Sequence, residues 1–251
     1  MGLLNKLGIA IGTHTPRENR NSSLPEARNG NHRHNGSPAT GAHREPAMQE
    51  TTRVSNGLKD FLWNLDGLGH GTLLDLGPAW QTTLSFFIER GFRVTSDDLL
   101  HSWGNFLSEQ ETLLKAQPLV AEDYAARTPE ALAKKFLSEN MEYPVNTFDA
   151  LLLWDVLDYL EPALAKQAVA TLTEMLRPGG VVFAMFHSKK PDVFHRYRVM
   201  DTTTLQVLGS KPIVPAQKVY QNREIQEMFG RYRTMKSYVG RDQLRESLFI
   251  K

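Results

Sequence analysis

The sequence predicts an α/β fold built on a parallel sheet. One β-α-β unit carries this prediction: the apolar run Thr72–Leu76 stops at Gly77, an amphipathic helix follows from Trp80 to Arg90, and a second strand covers Phe92–Ser96. Two strands joined through a helix in this way lie parallel in one sheet. Because ligands of such sheets bind beyond the carboxyl ends of the strands, the residues that follow each strand are the first candidates for a site.

Composition indicates one sizeable core and excludes several kinds of site. The chain has 251 residues, 41% of them hydrophobic, and a formal net charge of +1, so nothing global points to nucleic acid or acidic lipid. It contains no cysteine, which excludes disulfides, thiolate metal sites and a cysteine nucleophile. The absence of disulfides fits a cytoplasmic protein, and no apolar run reaches the ~18 residues of a transmembrane helix.

Residues 1–50 are predicted to form a disordered tail. Most of this stretch is rich in Asn, Arg, His, Gly, Pro and Ser, with few large apolar side chains. Such a segment cannot bury enough surface to offset the entropy of ordering the chain. Four histidines, His14, His32, His34 and His43, lie here. Loose metal or polyanion binding is one interpretation of them, and a solvated linker is the simpler one.

The domain itself is predicted over residues 51–251. Thr51–Leu68 has apolar residues at helical spacing, and Leu99–Asn140 is mostly helical, with Phe136–Ser138 as a poor candidate for a third strand. Phe148–Trp154 is a near-continuous apolar run, which is expected of a central parallel strand buried on both faces.

The last third of the domain is predicted to contain a buried strand, an insertion and a closing hairpin. Pro162 opens a helix that Arg177–Gly180 ends, and Val181–Phe186 is the strand that follows. The segment from about 189 to 221 is too long for a plain connection, so we expect an inserted hairpin or lid there. The chain then ends in a helix and two strands joined by a tight turn: Asn222–Gly230, Arg233–Val239 and Leu244–Ile250.

Four short segments form an ordered set along this domain: Leu73–Gly77, Asp97-Asp98, Thr147–Asp155 and Leu176–Gly180. They resemble the motifs of the first, second, fourth and fifth strands of class I S-adenosylmethionine-dependent methyltransferases, over about residues 58–251. The resemblance implies a doubly wound, Rossmann-like sheet of seven strands with an antiparallel last strand, which the closing hairpin matches. It also implies S-adenosyl-L-methionine as cofactor and methyl transfer to a small-molecule or protein acceptor.

The first loop departs from the family pattern. The family's Gly-x-Gly-x-Gly corresponds here to Gly77-Pro-Ala79-Trp-Gln81. Glycine lets a backbone approach a ligand closely, and Ala79 adds a methyl group. A second hypothesis therefore stays open, a non-catalytic binding or scaffold module on a degenerate copy of the fold. A nicotinamide-dependent dehydrogenase fits less well, because its motif would need glycine at Ala79 and Thr82.

The resemblance implies a cofactor site beyond the ends of the first two strands. Asp75 would order the glycine loop and the amino-acid end of the cofactor. The backbone at Gly77 and Ala79 would approach the cofactor closely. Asp97 or Asp98 would accept both ribose hydroxyls, since an ionised carboxylate only accepts hydrogen bonds.

The remaining candidates follow later strands and helices. Asn140, beside Glu139, would meet the adenine amino group. Trp154 and Asp155 would lie beside the position of methyl transfer. His187, with Asp155, is a candidate catalytic residue because histidine titrates near neutral pH, although a structural role is the simpler interpretation. No metal ligand set is predicted in the domain. Three residues of the insertion are candidates for contact with substrate: His195, Tyr197 and Arg198.

Overall fold

The computed structural model describes residues 50–251 apart from 117–124, 126, 211–213 and 241. The predicted tail lies outside the described residues except for Glu50, which begins a strand. No helix in the described ranges is long and apolar enough to span a membrane.

The secondary-structure elements of the described chain follow one another in a fixed order. They are β1 (Glu50–Val54), α1 (Asn56–Leu65), β2 (Gly71–Asp75), α2 (Gln81–Ile88), β3 (Phe92–Ser96), α3 (Leu99–Ala116), α4 (Pro129–Asn140), β4 (Phe148–Trp154), a 3-10 turn (Val156–Tyr159), α5 (Pro162–Met175), β5 (Leu176–His187), β6 (Phe194–Val199), β7 (Thr204–Ser210), α6 (Asn222–Met228), β8 (Thr234–Val239) and β9 (Leu244–Ile250).

The central sheet has the strand order β3-β2-β4-β5-β9-β8. Strands β3, β2, β4 and β5 are parallel to one another, whereas β9 is antiparallel to both β5 and β8. The predicted fold class is therefore confirmed: a mostly parallel, doubly wound α/β sheet that closes with an antiparallel strand.

The predicted number of seven strands is wrong for the described residues, in which the central sheet has six. The candidate third strand, Phe136–Ser138, lies inside helix α4. Thr128 caps this helix by accepting a hydrogen bond from the backbone N–H of Ala131 at 3.2 Å. Its buried residues Ala133, Phe136 and Leu137 recur at helical spacing, so a helix buries all three on one face.

The predicted helix over Thr51–Leu68 is wrong at its beginning. Residues Glu50–Val54 form β1, which pairs antiparallel with β7, and the helix starts only at Asn56. Ser55 caps it, because its hydroxyl accepts a hydrogen bond from Leu58 N at 3.0 Å. Two threonines and a valine favour the extended form where a partner strand is available, and that partner lies about 150 residues away along the chain.

Strands β1, β7 and β6 form a second, three-stranded sheet. Strands β6 and β7 are an antiparallel hairpin within the segment 189–221. The backbone N–H of Val199 in this hairpin donates a 3.0 Å hydrogen bond to the hydroxyl of Thr83 in α2. The small sheet is thereby attached to the helix that follows the glycine loop.

Side-chain alternation along the central strands divides the core between the two faces of the sheet. Leu73 and Leu152 belong to a core with α1 and α2. Leu74, Leu151 and Leu153 belong to a core with α3, α4 and α5. Each of these leucines is at most 1% exposed, and full burial of such a side chain stabilises a fold by about 1.5–3 kcal/mol. The sheet is thus doubly wound, and its carboxyl edge is held from both sides.

Strand β5 begins earlier than predicted. The segment Arg177–Gly180, expected only to end a helix, is a bulge within β5, between the paired residues Phe148–Leu176 and Ala150–Val181. Gly179 has φ +80°, a conformation that glycine adopts without steric cost. The bulge lies at the start of β5, far from its carboxyl end.

Candidate active site

The carboxyl ends of β2 and β4 are joined by backbone hydrogen bonds where the predicted site residues begin. Leu76 N donates to Leu152 O at 2.9 Å, and Asp97 N donates to Asp75 O at 2.8 Å. The residues that follow β2, β3 and β4 are therefore fixed in one region.

Asp75 is buried at the centre of this region, with 1% of its surface exposed. Its Oδ1 accepts a hydrogen bond from Trp154 Nε1 at 2.7 Å and another from Gly77 N at 3.0 Å. Burial raises the pKa of Asp75 to about 7, although both hydrogen bonds act to lower it. Asp75 therefore holds both the backbone of the Gly77 loop and the indole of Trp154.

The Trp154 side chain covers the glycine loop. A Cβ atom added to Gly77 would lie 2.5 Å from Trp154 Cδ1, so only glycine fits beneath the indole. Trp154 itself has φ +49°, a left-handed conformation that costs a non-glycine residue about 1–3 kcal/mol. On its other side the indole stacks on Tyr197 of β6, with ring centroids 5.5 Å apart and an interplanar angle of 11°.

The space left between the loop and the hairpin is very small. The cavity there has a volume of about 10 Å³ and is lined by residues that include Gly77, Asp98, Trp154 and Tyr197. On this measure a single water molecule needs about 10–15 Å³. The donor and acceptor groups at this edge suit a nucleoside cofactor, but the conformation has no room for one.

The hairpin is also held on the loop by stacked cations. The guanidinium of Arg198 lies 3.8 Å from the ring centroid of Trp80, and that of Arg196 lies 5.0 Å from it. Contacts of this kind contribute about 0.5–2 kcal/mol each, depending on desolvation. Trp80 stands directly before α2, so the hairpin is attached to the loop that a cofactor would approach.

A second group of polar residues lies one strand further along. Asp155 is 2% exposed, and its Oδ2 accepts a hydrogen bond from the Tyr197 hydroxyl at 2.9 Å and lies 3.6 Å from His187 Nε2. Burial raises the pKa of Asp155 to about 7, against the charge of His187 and the tyrosine hydrogen bond. The two residues predicted as catalytic candidates, Asp155 and His187, are thus brought together.

The orientation of His187 is fixed by Asp158. The carboxylate Oδ2 of Asp158 accepts a hydrogen bond from the His187 backbone N–H at 2.7 Å and lies 2.9 Å from Nδ1 of the ring. Burial alone would lower the pKa of His187, but the Asp158 hydrogen bond and the charges of Asp155 and Asp158 outweigh it and raise that pKa. The sequence analysis missed Asp158. The signal available was its spacing: a second carboxylate three residues after Asp155, directly beyond a buried strand.

His195 completes this side of the site from strand β6. Its ring lies 5.7 Å from that of His187, at an interplanar angle of 25°. Burial and the neighbouring His187 lower the pKa of His195. A second cavity of about 220 Å³ opens beside the two histidines and is also lined by Lys189, Lys190 and Asp242.

The other predicted site residues are placed less centrally. Asp98 lines the small cavity, and its Oδ1 also accepts a hydrogen bond from His101 N at 3.0 Å at the start of α3. Asp97 is half-buried with a pKa raised by burial, and Ala79 is exposed. Asn140 is exposed at the end of α4, where its amide donates to a backbone carbonyl. Asp97, Ala79 and Asn140 do not line the small cavity.

No protein-family model matches the chain. No curated protein matches it either. Solved structures with a similar fold include an S-adenosylmethionine-dependent methyltransferase from Mesorhizobium loti, with a TM-score of 0.44 and 12% identity over 76% of this chain and 96% of that one. Another is 1,6-didemethyltoxoflavin-N1-methyltransferase from Burkholderia thailandensis, with bound S-adenosylhomocysteine, a TM-score of 0.41 and 15% identity over 78% of this chain and 76% of that one. At this distance the likeness says nothing about the substrate of this chain.

Proposed function

We propose that this protein is an S-adenosylmethionine-dependent methyltransferase acting on a small-molecule or protein acceptor. The observation that carries the proposal is the arrangement at the carboxyl edge: Asp75 beneath the Gly77 loop, Asp98 beyond the adjacent strand, and Asp155 beyond β4. A carboxylate at the end of the strand next to the glycine loop is suited to accept hydrogen bonds from two ribose hydroxyls.

Methyl transfer requires the protein mainly to position the cofactor and the acceptor. S-adenosylmethionine supplies an electrophilic methyl group, and an acceptor in line with it needs mainly orientation. Asp155 follows β4 and His187 ends β5, beside the proposed site of methyl transfer. Both side chains have pKa values above their ordinary ranges. Either group is suited to take a proton from an acceptor near neutral pH.

Cofactor binding requires the hairpin β6–β7 and the Trp154 indole to move. Their present positions leave about 10 Å³ at the loop. The polar contacts that hold the hairpin over the site include the Val199–Thr83 hydrogen bond, the Tyr197–Asp155 hydrogen bond and the arginines on Trp80. We therefore interpret this arrangement as a closed state. We interpret the hairpin as the lid that was predicted from the length of the segment 189–221.

Calorimetry with S-adenosylmethionine and S-adenosylhomocysteine tests this function. Trp154→Ala removes the side chain that covers Gly77, and we expect at least a tenfold gain in affinity for both ligands. Trp63→Ala is the matched control, because Trp63 is 77% exposed on α1. It should bind as the unchanged protein does.

The same titrations separate the proposed function from the non-catalytic alternative. If neither the unchanged protein nor folded Trp154→Ala binds either ligand, the chain is a binding or scaffold module on this fold. Melting temperatures of both variants establish that they are folded.

A further inference from the structure

Three potential metal ligands converge beside the 220 Å³ cavity. One ligand atom each from Asp155, His187 and His195 can be chosen so that all lie within 4.8 Å of one another. They come from the loop after β4, the end of β5 and the start of β6, so the fold and not local sequence brings them together. Their spacing along the chain is therefore not that of a metal-binding motif, although each was a candidate site residue on other grounds.

His187 is the residue that points to a ligand. Its side chain is 9% exposed, yet its Nε2 has no hydrogen-bond partner among the described residues. A buried polar atom without a partner costs about 1–3 kcal/mol, so such atoms are rare in folded proteins. The Asp155 carboxylate oxygen lies 3.6 Å from Nε2, which is beyond hydrogen-bonding distance.

The surroundings of His187 are those of a metal-bound imidazole. Asp158 lies 2.9 Å from Nδ1 and also accepts the His187 backbone N–H, so the carboxylate favours the tautomer with the proton on Nδ1. That tautomer turns the lone pair of Nε2 toward Asp155 and His195. Metal-bound histidines are commonly held by a carboxylate in this way. The Tyr197 hydroxyl orients the Asp155 carboxylate in the same manner.

We propose that Asp155, His187 and His195 bind a divalent first-row transition-metal ion, with Zn²⁺ the best match. Two ligand atoms about 2.1 Å from a tetrahedral ion lie about 3.4 Å apart, which is close to the 3.6 Å between Asp155 Oδ2 and His187 Nε2. His195, on the hairpin, closes the remaining distance by a small shift of β6. Two imidazoles and one carboxylate suit Zn²⁺ better than Mg²⁺ or Ca²⁺, which favour oxygen ligands throughout.

Charge supports a cation at this position. Asp155 and Asp158 are 2% and 0% exposed, and the buried Arg245 donates its hydrogen bonds to the backbone carbonyls of His187 and Tyr220 and to Asn222 and not to either carboxylate. Buried carboxylates need a compensating charge or a proton. A dication between Asp155 and the histidines supplies it.

The site would keep an open coordination position. Three protein ligands leave a fourth position of a tetrahedral ion unfilled, and the 220 Å³ cavity lies beside both histidines. Lys189 and Lys190 line that cavity, so a small molecule with an anionic or oxygen donor group is the class of ligand that fits. The metal site does not depend on the proposed methyl transfer, but a bound ion would occupy the His187 and Asp155 atoms named there as proton acceptors, so that role belongs to the metal-free protein.

The experiment must exclude the histidines of the N-terminal segment. The starting protein is therefore the full chain with His14, His32, His34 and His43 changed to Gln. We expect it to bind one equivalent of Zn²⁺ in calorimetry, to give the absorption of a four- or five-coordinate ion with Co²⁺, and to melt at a higher temperature with Zn²⁺.

Variants in this background identify the ligands. His195→Gln should weaken Zn²⁺ binding at least tenfold and abolish the Zn²⁺-dependent rise in melting temperature. This residue is half-buried on the hairpin, so the domain should stay folded. His70→Gln, at an exposed histidine before β2, is the control and should bind Zn²⁺ as the background does.

Asp158→Asn tests the positioning of His187. It retains a side chain of the same shape but weakens the hold on the Nδ1 proton, and we expect a smaller loss of Zn²⁺ affinity than in His195→Gln. No saturable Zn²⁺ binding by the background protein, or equal affinity in His195→Gln, would overturn the proposal.

Discussion

The indole nitrogen of Trp154 donates a 2.7 Å hydrogen bond to the carboxylate of Asp75, a residue 79 positions earlier in the chain. This contact joins the ends of β2 and β4 and lays an aromatic ring over the loop that would receive a cofactor. It is both part of the core and the cover of the candidate site. Stability and ligand access are therefore linked at this pair.

The Asp75–Trp154 contact can be tested by Trp154→Phe. Phenylalanine keeps an aromatic ring beside Tyr197 but leaves the buried Asp75 with one hydrogen bond fewer. We expect the free energy of unfolding to fall by about 1–3 kcal/mol. Urea denaturation measures it, with Trp63→Phe as the exposed control. A loss no larger than that of the control would show that the hydrogen bond contributes nothing.

Asp75 also predicts how stability changes with pH. Its pKa in the folded protein is about 7, whereas an unfolded aspartate titrates near ~3.9, so the folded state binds the proton more tightly. The contribution of this proton to the free energy of unfolding is complete below the unfolded pKa and is lost as the pH rises through 7. Asp75→Asn should reduce the fall in unfolding free energy between pH 5 and pH 8 by on the order of 2 kcal/mol.

Urea denaturation at pH 5, 6, 7 and 8 measures this effect. Part of the fall should remain in the variant, because burial raises the pKa of Asp155 to about 7 as well. A variant whose stability varies with pH as steeply as that of the unchanged protein would contradict the assignment to Asp75.

The fit of Trp154 over Gly77 predicts a coupled pair of substitutions. Gly77→Ala places a methyl group 2.5 Å from the indole and should cost about 1–3 kcal/mol by overpacking. In a Trp154→Ala background the same change should cost little, since the obstructing ring is gone. Gly230→Ala, where a methyl group meets only ordinary contacts at 3.4 Å, is the control. Equal costs in both backgrounds would mean that the two residues do not interact.

The lid interpretation predicts faster opening when its attachment to α2 is removed. Thr83→Ala leaves the Val199 N–H of β6 without its 3.0 Å partner. Amide hydrogen exchange in β6 and β7 should become at least several-fold faster, while exchange in β2 and β4 stays unchanged. Thr82→Ala, at an exposed neighbour in the same helix, is the matched control. Uniform acceleration across the whole domain would indicate general destabilisation and not lid opening.

We expect Asp98 and Asp97 to differ in how much they contribute to cofactor affinity. Asp98 lines the cavity and Asp97 does not, so Asp98→Ser should weaken S-adenosylhomocysteine binding at least tenfold, as expected when charge-assisted hydrogen bonds of about 1.5–3 kcal/mol are lost. Serine retains the ability to cap α3. Asp97→Ser is the control. Calorimetry in the Trp154→Ala background gives the comparison, and a larger effect at Asp97 would reverse the assignment.

Sequence patterns predicted those parts of the fold that depend on local signals. The strands Phe92–Ser96, Phe148–Trp154 and Leu244–Ile250 were found at their observed bounds, because apolar runs and turn residues mark both ends. The strand β1 was missed because its stability comes from pairing with β7. The residues Phe136–Ser138 are compatible with either a strand or a helix. They are helical because α4 buries Phe136 and Leu137 on one face.

The candidate site was predictable only in part, for a similar reason. The ends of buried strands pointed to Asp75, Asp155 and His187. Nothing in the sequence indicated that Trp154 would turn back onto Gly77, because that position depends on a left-handed φ at the end of the strand. The meeting of His195 with His187 depends on the way the hairpin folds over the edge, which no periodicity describes.

The pairing of β1 with β7 connects the hairpin β6–β7 to the first strand of the described chain. Five residue pairs, from Glu50–Leu208 to Val54–Thr204, join the two strands in antiparallel register. Arg53 of β1 also forms a 2.7 Å ion pair with Glu246 of β9, so β1 is attached both to the hairpin and to the central sheet. A displacement of β1 would therefore be transmitted through these pairs to the hairpin that covers the candidate site.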